Sequence, residues 1–141
     1  MSTGIVVGYD GSDCAKQAVR VAIEVGKAYG EKIVIAFGYE LNPVAGELHD
    51  YHEALKELAT KRLTEAVALA SESGANAEIE AVILEQEPAA GLVELADERD
   101  ARVIVVGTRG GSPLKGALLG STPHKLLQLS DRPVLVVPAH E

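Results

Sequence analysis

The stretch from Gly107 to Ser121 reads Gly-Thr-Arg-Gly-Gly-Ser-Pro-Leu-Lys-Gly-Ala-Leu-Leu-Gly-Ser. Glycines at these intervals let successive backbone amides turn toward one point, where they can bind an anion. A helix starting near Ser121 would add unpaired N–H groups and the positive end of its dipole. Ser121 contributes a hydroxyl, and Arg109 or Lys115 could offset phosphate charge. Taken alone, glycine richness fits an ordinary loop equally well. The other common nucleotide signatures are missing. No Gly-Lys-Ser/Thr ending marks a P-loop. No Gly-x-Gly-x-x-Gly follows the first apolar run, so a Rossmann dinucleotide site is disfavoured.

Other reactive side chains carry weaker patterns. Asp10, in Asp10-Gly11-Ser12, suits a turn as well as a ligand contact, and its place after a strand favours the ligand. Cys14, the only cysteine, falls in a first helical turn, where a dipole lowers a thiol pKa. With no His or second Cys nearby in sequence, it reads as a small core residue. His49 and His52 share a helical face, but Lys56 stands where a His-Glu-x-x-His motif needs its second histidine. A solvated helix start explains them better than a metal site. His124 and His140 have no carboxylate partner in sequence. Glu94, Asp97, Glu98 and Asp100 read as the wet face of a helix. Glu85 and Glu87 flank a loop without marking an acid–base pair.

The elements that must position these groups follow from periodicity. Ile5-Val6-Val7 is a β-branched strand ending at Gly8, and Ser12 or Asp13 caps the helix after it. Ala15, Ala18, Val19, Ala22, Val25 and Tyr29 recur at helical spacing until Gly30. Lys32 to Tyr39 is nearly continuous apolar sequence, suited to a strand buried on both faces. After the break at Asn42-Pro43, a long helix carries Leu48, Tyr51, Leu55, Leu58, Ala59, Ala66, Val67 and Ala70, and Gly74 ends it. A strand from Ile79 to Leu84 follows, then a short helix from Glu87-Pro88 with Leu92, Val93, Leu95 and Ala96. The strand Val103 to Val106 leads into Gly107. Pro123 sits in the first turn of the last helix, ahead of Leu126, Leu127 and Leu129, and Val134 to Val137 forms the last strand. Alternation of this kind gives an α/β fold: an open, mainly parallel five-stranded sheet with four helices on both faces. Gly8, Gly38 and Gly107 each fall at a strand's carboxyl end, where such sheets bind ligands.

Bulk properties narrow the partners. With 141 residues, one domain is expected. Apolar types form 47% of the chain and aromatics only 4%, so Val, Ile, Leu and Ala must build the core. Thirteen basic residues against 21 acidic give a net charge of −8, which opposes binding to nucleic acid or anionic lipid. The N-terminal residues lack a signal-peptide pattern, and no apolar run is long enough for a membrane span. These features point to a soluble, cytoplasmic protein.

The glycines fall as Gly, two residues, Gly, nine residues, Gly-Ser, at Gly107, Gly110, Gly120 and Ser121. Together with Asp10-Gly11-Ser12 and the closing Pro133-Val134-Leu135-Val136-Val137, this pattern resembles the universal stress proteins, in their ATP-binding subgroup. The resemblance covers the whole chain. It implies one universal stress protein domain over residues 1–141, with a Rossmann-like fold of the adenine nucleotide alpha hydrolase kind. It also implies a ligand, ATP, or AMP or cyclic AMP in its place, with or without Mg2+. Asp10 would lie near the ribose and metal region with Gly8 beside it, and the backbone of Gly38 would face the adenine. Val106 and Gly107 would line the adenosine, while Arg109, Gly110, Gly120, Ser121 and Thr122 would surround the phosphates.

The chain departs from the family pattern at Thr122-Pro123, where Val-Ser is commoner, and at Gly111, where a bulkier or basic residue is frequent. Pro123 supplies no amide. The implied activity is that of a nucleotide-dependent stress-response or signalling module. A slow ATPase, a self-phosphorylating protein or a nucleotidyl-transfer enzyme using the same site is the alternative. Members of the family often pair through the last strand, so a homodimer through Val134–Val137 is implied as well.

Overall fold

β-Branched and aliphatic runs form five strands, β1 (Ile5–Gly8), β2 (Ile33–Gly38), β3 (Ile79–Leu84), β4 (Val103–Gly107) and β5 (Val134–Val137). Between them lie helices α1 (Asp13–Tyr29), α2 (Leu48–Glu72), α3 (Pro88–Glu98) and α4 (Ser121–Leu129). The structure, a computed structural model, describes residues 4–40, 48–73, 78–109 and 119–139. The strand order is β3-β2-β1-β4-β5, and every pairing is parallel, with Val7 opposite both Ile35 and Val105. The expected α/β architecture is therefore present, with a sheet that is parallel throughout. β1 is central: the chain winds outward through β2 and β3, then returns to place β4 on its other side. Ligands bind beside such a reversal, at the strands' carboxyl ends.

Alternation along each strand builds two cores, one per face. Ile5, Val7, Ile33, Ile35 and Val105 meet the buried faces of α1 and α2. Val6, Val34, Ala36, Ile104 and Val106 meet α3 and α4 through Leu92, Leu95 and Leu126. All of β2 from Ile33 to Phe37 is buried, as its continuous apolar run requires. The caps agree with local chemistry. Ser12 Oγ accepts from the Ala15 amide at 3.1 Å, and Gly30 closes α1 in the left-handed region at φ 66°. Glu87 opens α3 by accepting from the amides of Ala89 and Ala90, with Pro88 in the first turn.

Several expectations are corrected. Tyr29 continues the apolar spacing of α1 yet is exposed, and Arg102 lies over its ring, 3.9 Å from the centroid. The buried stripe of α2 is Ala59, Leu63, Ala66 and Ala70; Tyr51 and Leu58 face outward. Leu127 and Leu129 of α4 are exposed, leaving Leu126 as that helix's core leucine. The acidic residues Glu94, Asp97, Glu98 and Asp100 are exposed, as expected of a wet face, and three of them also take partners. Arg132 reaches Asp97 and Asp100, each at 3.1 Å, and donates to the Ala101 carbonyl at 2.8 Å. Gln86 donates to Glu94 at 3.2 Å. Among the described residues, no helix is long and apolar enough to cross a membrane.

Candidate functional site

A cleft of about 200 Å3 opens at the carboxyl ends of β1, β2 and β4, beside the reversal in strand order. Its floor is Gly8, Ala36, Gly38, Val106 and Gly107, and one wall is the turn Tyr9-Asp10 with Ser12. Pro88 and Leu92 of α3 form the apolar wall opposite, and Arg109 with Gly120, Ser121 and Thr122 closes the polar end. Nine of the ten residues expected at a ligand site thus line one cleft: Gly8, Asp10, Gly38, Val106, Gly107, Arg109, Gly120, Ser121 and Thr122. Gly110, like Gly111 and Lys115, lies outside the described residues.

Close packing explains two of the strand-end glycines. A Cβ on Gly107 would stand 2.4 Å from Cβ and 2.7 Å from the carbonyl carbon of Cys14. One on Gly38 would stand 2.9 Å from Cα of Pro88. Each glycine lets the first turn of a helix, α1 or α3, sit directly on the strand end. Those two helix starts then flank the cleft instead of standing away from it.

The polar end is built around α4. Gly120 is its N-cap and offers no side-chain acceptor to the first turn. The Gly120 amide donates to Thr108 O at 2.7 Å, and the His124 amide returns to Gly120 O at 3.2 Å. Among the described residues the amides of Ser121 and Thr122 meet no acceptor, and Pro123 has no amide to offer. Ser121 and Thr122 thus line the cleft at the positive end of a helix that has no side-chain cap, an arrangement suited to an anion. Behind it, Ser12 Oγ donates to Arg109 O at 3.4 Å, and the Thr108 amide donates to Val137 O at 2.9 Å. The Arg109 backbone is thus tied to the start of α1, and Thr108 to the end of β5.

Asp10 closes a turn and stands beside the cleft. Its Oδ1 accepts from the Ser12 amide at 2.9 Å, closing a local turn, while the exposed carboxylate borders the cleft. Cys14 is buried, with Sγ 3.4 Å from Thr108 Oγ1. Burial pushes its thiol pKa up. Hydrogen bonds from the Thr108 hydroxyl and from backbone groups of Arg109 and Ala139, aided by the Arg109 charge, outweigh this and hold it below the ordinary thiol value. His52 pairs with Glu85 at 3.1 Å, and Tyr39 donates to the same carboxylate oxygen at 3.3 Å. The hydrogen bond from His52 is the main cause that lowers the Glu85 pKa. The His49 side chain lies outside the described residues. Among those described, no group of three metal-ligating side chains occurs.

Sequence reasoning did not single out Tyr9, Ala36, Pro88, Leu92 or Pro123 as lining residues. A usable signal existed for two of them. Ala36 shares a strand face with Gly38, and Pro88 starts a helix directly after a strand, which places it at the same sheet edge.

The fold and cleft define a doubly wound α/β protein with an anion-ready crevice at its topological switch. The chain belongs to the universal stress protein family, whose family model matches residues 1–138. It is 37% identical over 138 residues to a universal stress protein of Thermus aquaticus, covering 94% of this chain and 96% of that one. A universal stress protein solved in complex with cAMP is 35% identical, with 99% and 98% of the two chains covered and a TM-score of 0.74. The universal stress protein of Archaeoglobus fulgidus in complex with dAMP is 27% identical, with 96% and 97% covered and a TM-score of 0.73.

Proposed function

We propose that this chain, read as one universal stress protein domain over residues 1–141, binds ATP in the cleft and acts as a nucleotide-dependent regulatory module. The carrying observation is the start of α4, which has no side-chain cap and whose Ser121 and Thr122 line the same crevice as Arg109. Phosphate oxygens would take the Ser121 and Thr122 donors, with Arg109 and Gly110 beside them. The adenine would lie against Gly38, Pro88 and Leu92. Asp10, the one carboxylate among the described lining residues, would face the ribose. Mg2+ would enter with the triphosphate, since a single carboxylate is a poor metal site by itself. The titratable side chains among the described lining residues are Tyr9, Asp10 and Arg109, a set better suited to holding a nucleotide than to activating water.

The complexes of related proteins with cAMP and dAMP favour a second reading, in which the site holds a nucleoside monophosphate. Release of the bound nucleotide from freshly purified protein by denaturation, followed by its mass, separates the two. Incubation with ATP and Mg2+ then compares occupancy with turnover, and bound but unturned ATP supports the regulatory reading over a slow ATPase.

The reading extends to a homodimer in the cytoplasm, paired through β5. That strand lies at a sheet edge, carries no charge from Val134 to Val137, and leaves Leu135 exposed. Bare edges of this kind pair with other strands.

A further inference from the structure

We propose that Arg62 of α2 is a positioning residue for the nucleotide cleft, acting through the turn Asp10-Gly11-Ser12; the inference rests on the nucleotide reading above. Gly11 adopts φ 88°, in the left-handed region that other residues avoid. The Arg62 side chain lies flat against it. A Cβ on Gly11 would come within 2.9 Å of Cδ and Nε of Arg62, and 3.2 Å of Cζ. The backbone therefore favours glycine at this position, and a side chain there would push Arg62 off the turn.

The guanidinium is itself fixed. Its Nη1 contacts both carboxylate oxygens of Glu65, each at 3.1 Å, one turn along α2. Glu65 also faces the phenol of Tyr9, the residue before Asp10, and burial with Glu65's charge raises that phenol's pKa. Arg62 and Glu65 thus grip the turn from the α2 side, at Tyr9 and at Gly11. From the other side, Ser12 Oγ donates to Arg109 O. Asp10, held between these two grips, borders the cleft while Arg62 does not. Arg62 lies against Gly11 and is not among the cleft-lining residues, so its influence on a ligand is taken to pass through the turn.

Substituting Arg62 should loosen the turn and misplace Asp10 while Gly38, Pro88 and Leu92 stay in place. A double-mutant cycle on the full chain, read by calorimetric titration with ATP, tests this. Arg62→Ala should weaken ATP by about tenfold, the equivalent of one lost polar contact. Asp10→Ala should do the same, and the double variant should bind no more weakly than Asp10→Ala alone. Such coupling separates positioning from a merely structural role, which would lower the melting temperature without depending on Asp10. If Arg62→Ala fails to fold, Arg62→Lys carries the test, because lysine keeps the charge but loses the planar fork over Gly11 and Glu65.

Wild-type affinity in a folded Arg62 variant, or losses that multiply in the double variant, would overturn the inference. A wild-type chain that takes up neither ATP, AMP nor cAMP would overturn the nucleotide reading and this inference with it. A binding wild type with indifferent Arg62 variants would overturn this inference alone.

Discussion

The amide of Gly120 donates to the carbonyl of Thr108 at 2.7 Å, joining the end of β4 to the N-cap of α4. This bond brings both ends of the Gly107–Ser121 stretch to one place, so Arg109 and the open amides of Ser121 and Thr122 share a cleft. The start of α4 and the end of β4 thereby become one surface of the cleft.

That junction sets the first prediction. Gly120→Val should abolish binding of adenine nucleotides, because an isopropyl group at the N-cap would occupy the space before the α4 amides. The backbone there is extended, at φ −66° and ψ 171°, so valine can adopt it and the fold should persist. Titration with ATP, alongside circular dichroism to confirm folding, checks this; unchanged affinity would mean phosphates bind elsewhere.

Arg109 should discriminate among ligands by their charge. Arg109→Ala should weaken ATP by roughly 1.5–3 kcal/mol through loss of a charge-assisted contact, and leave adenosine nearly untouched. Parallel titrations with both ligands measure the difference. Equal losses would place the guanidinium away from the phosphates.

Gly107→Ala should destabilise the fold itself. Its methyl group would meet Cβ and backbone atoms of Cys14 and the Ala15 amide nitrogen at 2.4–2.9 Å, and backbone cannot rotate away as a side chain can. Overpacking of this kind costs roughly 1–3 kcal/mol. Thermal unfolding should show a Tm lower by several degrees even without ligand. An unchanged Tm would show that α1 shifts freely on β4.

Much of this arrangement was legible in the sequence, because strand-end glycines and helix caps are local signals. The run Ile33–Phe37 announced a strand buried on both faces, and Ser12 and Gly30 marked both ends of α1. Periodicity alone misjudged faces where the helix partner was unknown. Tyr29 keeps the apolar spacing of α1, but it is exposed at the helix end and meets Arg102 over its ring instead of the core. Leu63 is buried, while Leu58, in the same helix, is exposed. The pairing of Arg132 with Asp97 and Asp100 spans more than thirty residues, a distance that charge patterning along one helix does not register. In the cleft, the β1 and β4 residues were found from their motifs. The α3 wall emerged only from packing, since Pro88 and Leu92 carry no polar mark.

Acid should loosen the start of α3. Burial raises the Glu87 pKa, but hydrogen bonds from the Ala90 and Ala89 amides, with Lys125 at 3.3 Å, outweigh it and hold the carboxyl below its ordinary 4.5. A depressed folded pKa means that the stabilisation is fully present above the unfolded value and is lost as pH falls through the folded one. Glu87→Ala should cost about 1 kcal/mol at neutral pH, as loss of an N-cap does. Melting temperatures followed from about pH 6 to about pH 3 should fall more steeply for the wild type than for Glu87→Gln. Parallel curves would show that the cap contributes no pH dependence.

Pairing through β5 is tested by Val136→Pro, which removes a strand donor and obstructs an added strand. Light scattering should give a dimer for the wild type at micromolar concentration and a monomer for the variant. A monomeric wild type, with or without ATP, would refute the dimer. A variant as dimeric as the wild type would move the interface away from this strand.

The most direct test of the account is calorimetric titration of nucleotide-stripped, full-length protein with ATP, AMP, cAMP and adenosine. Saturable binding of one adenine nucleotide per chain is expected, with adenosine weaker than the phosphorylated ligands because it leaves the start of α4 and Arg109 unused. No saturable binding of any of the three nucleotides at concentrations up to about 1 mM would contradict it.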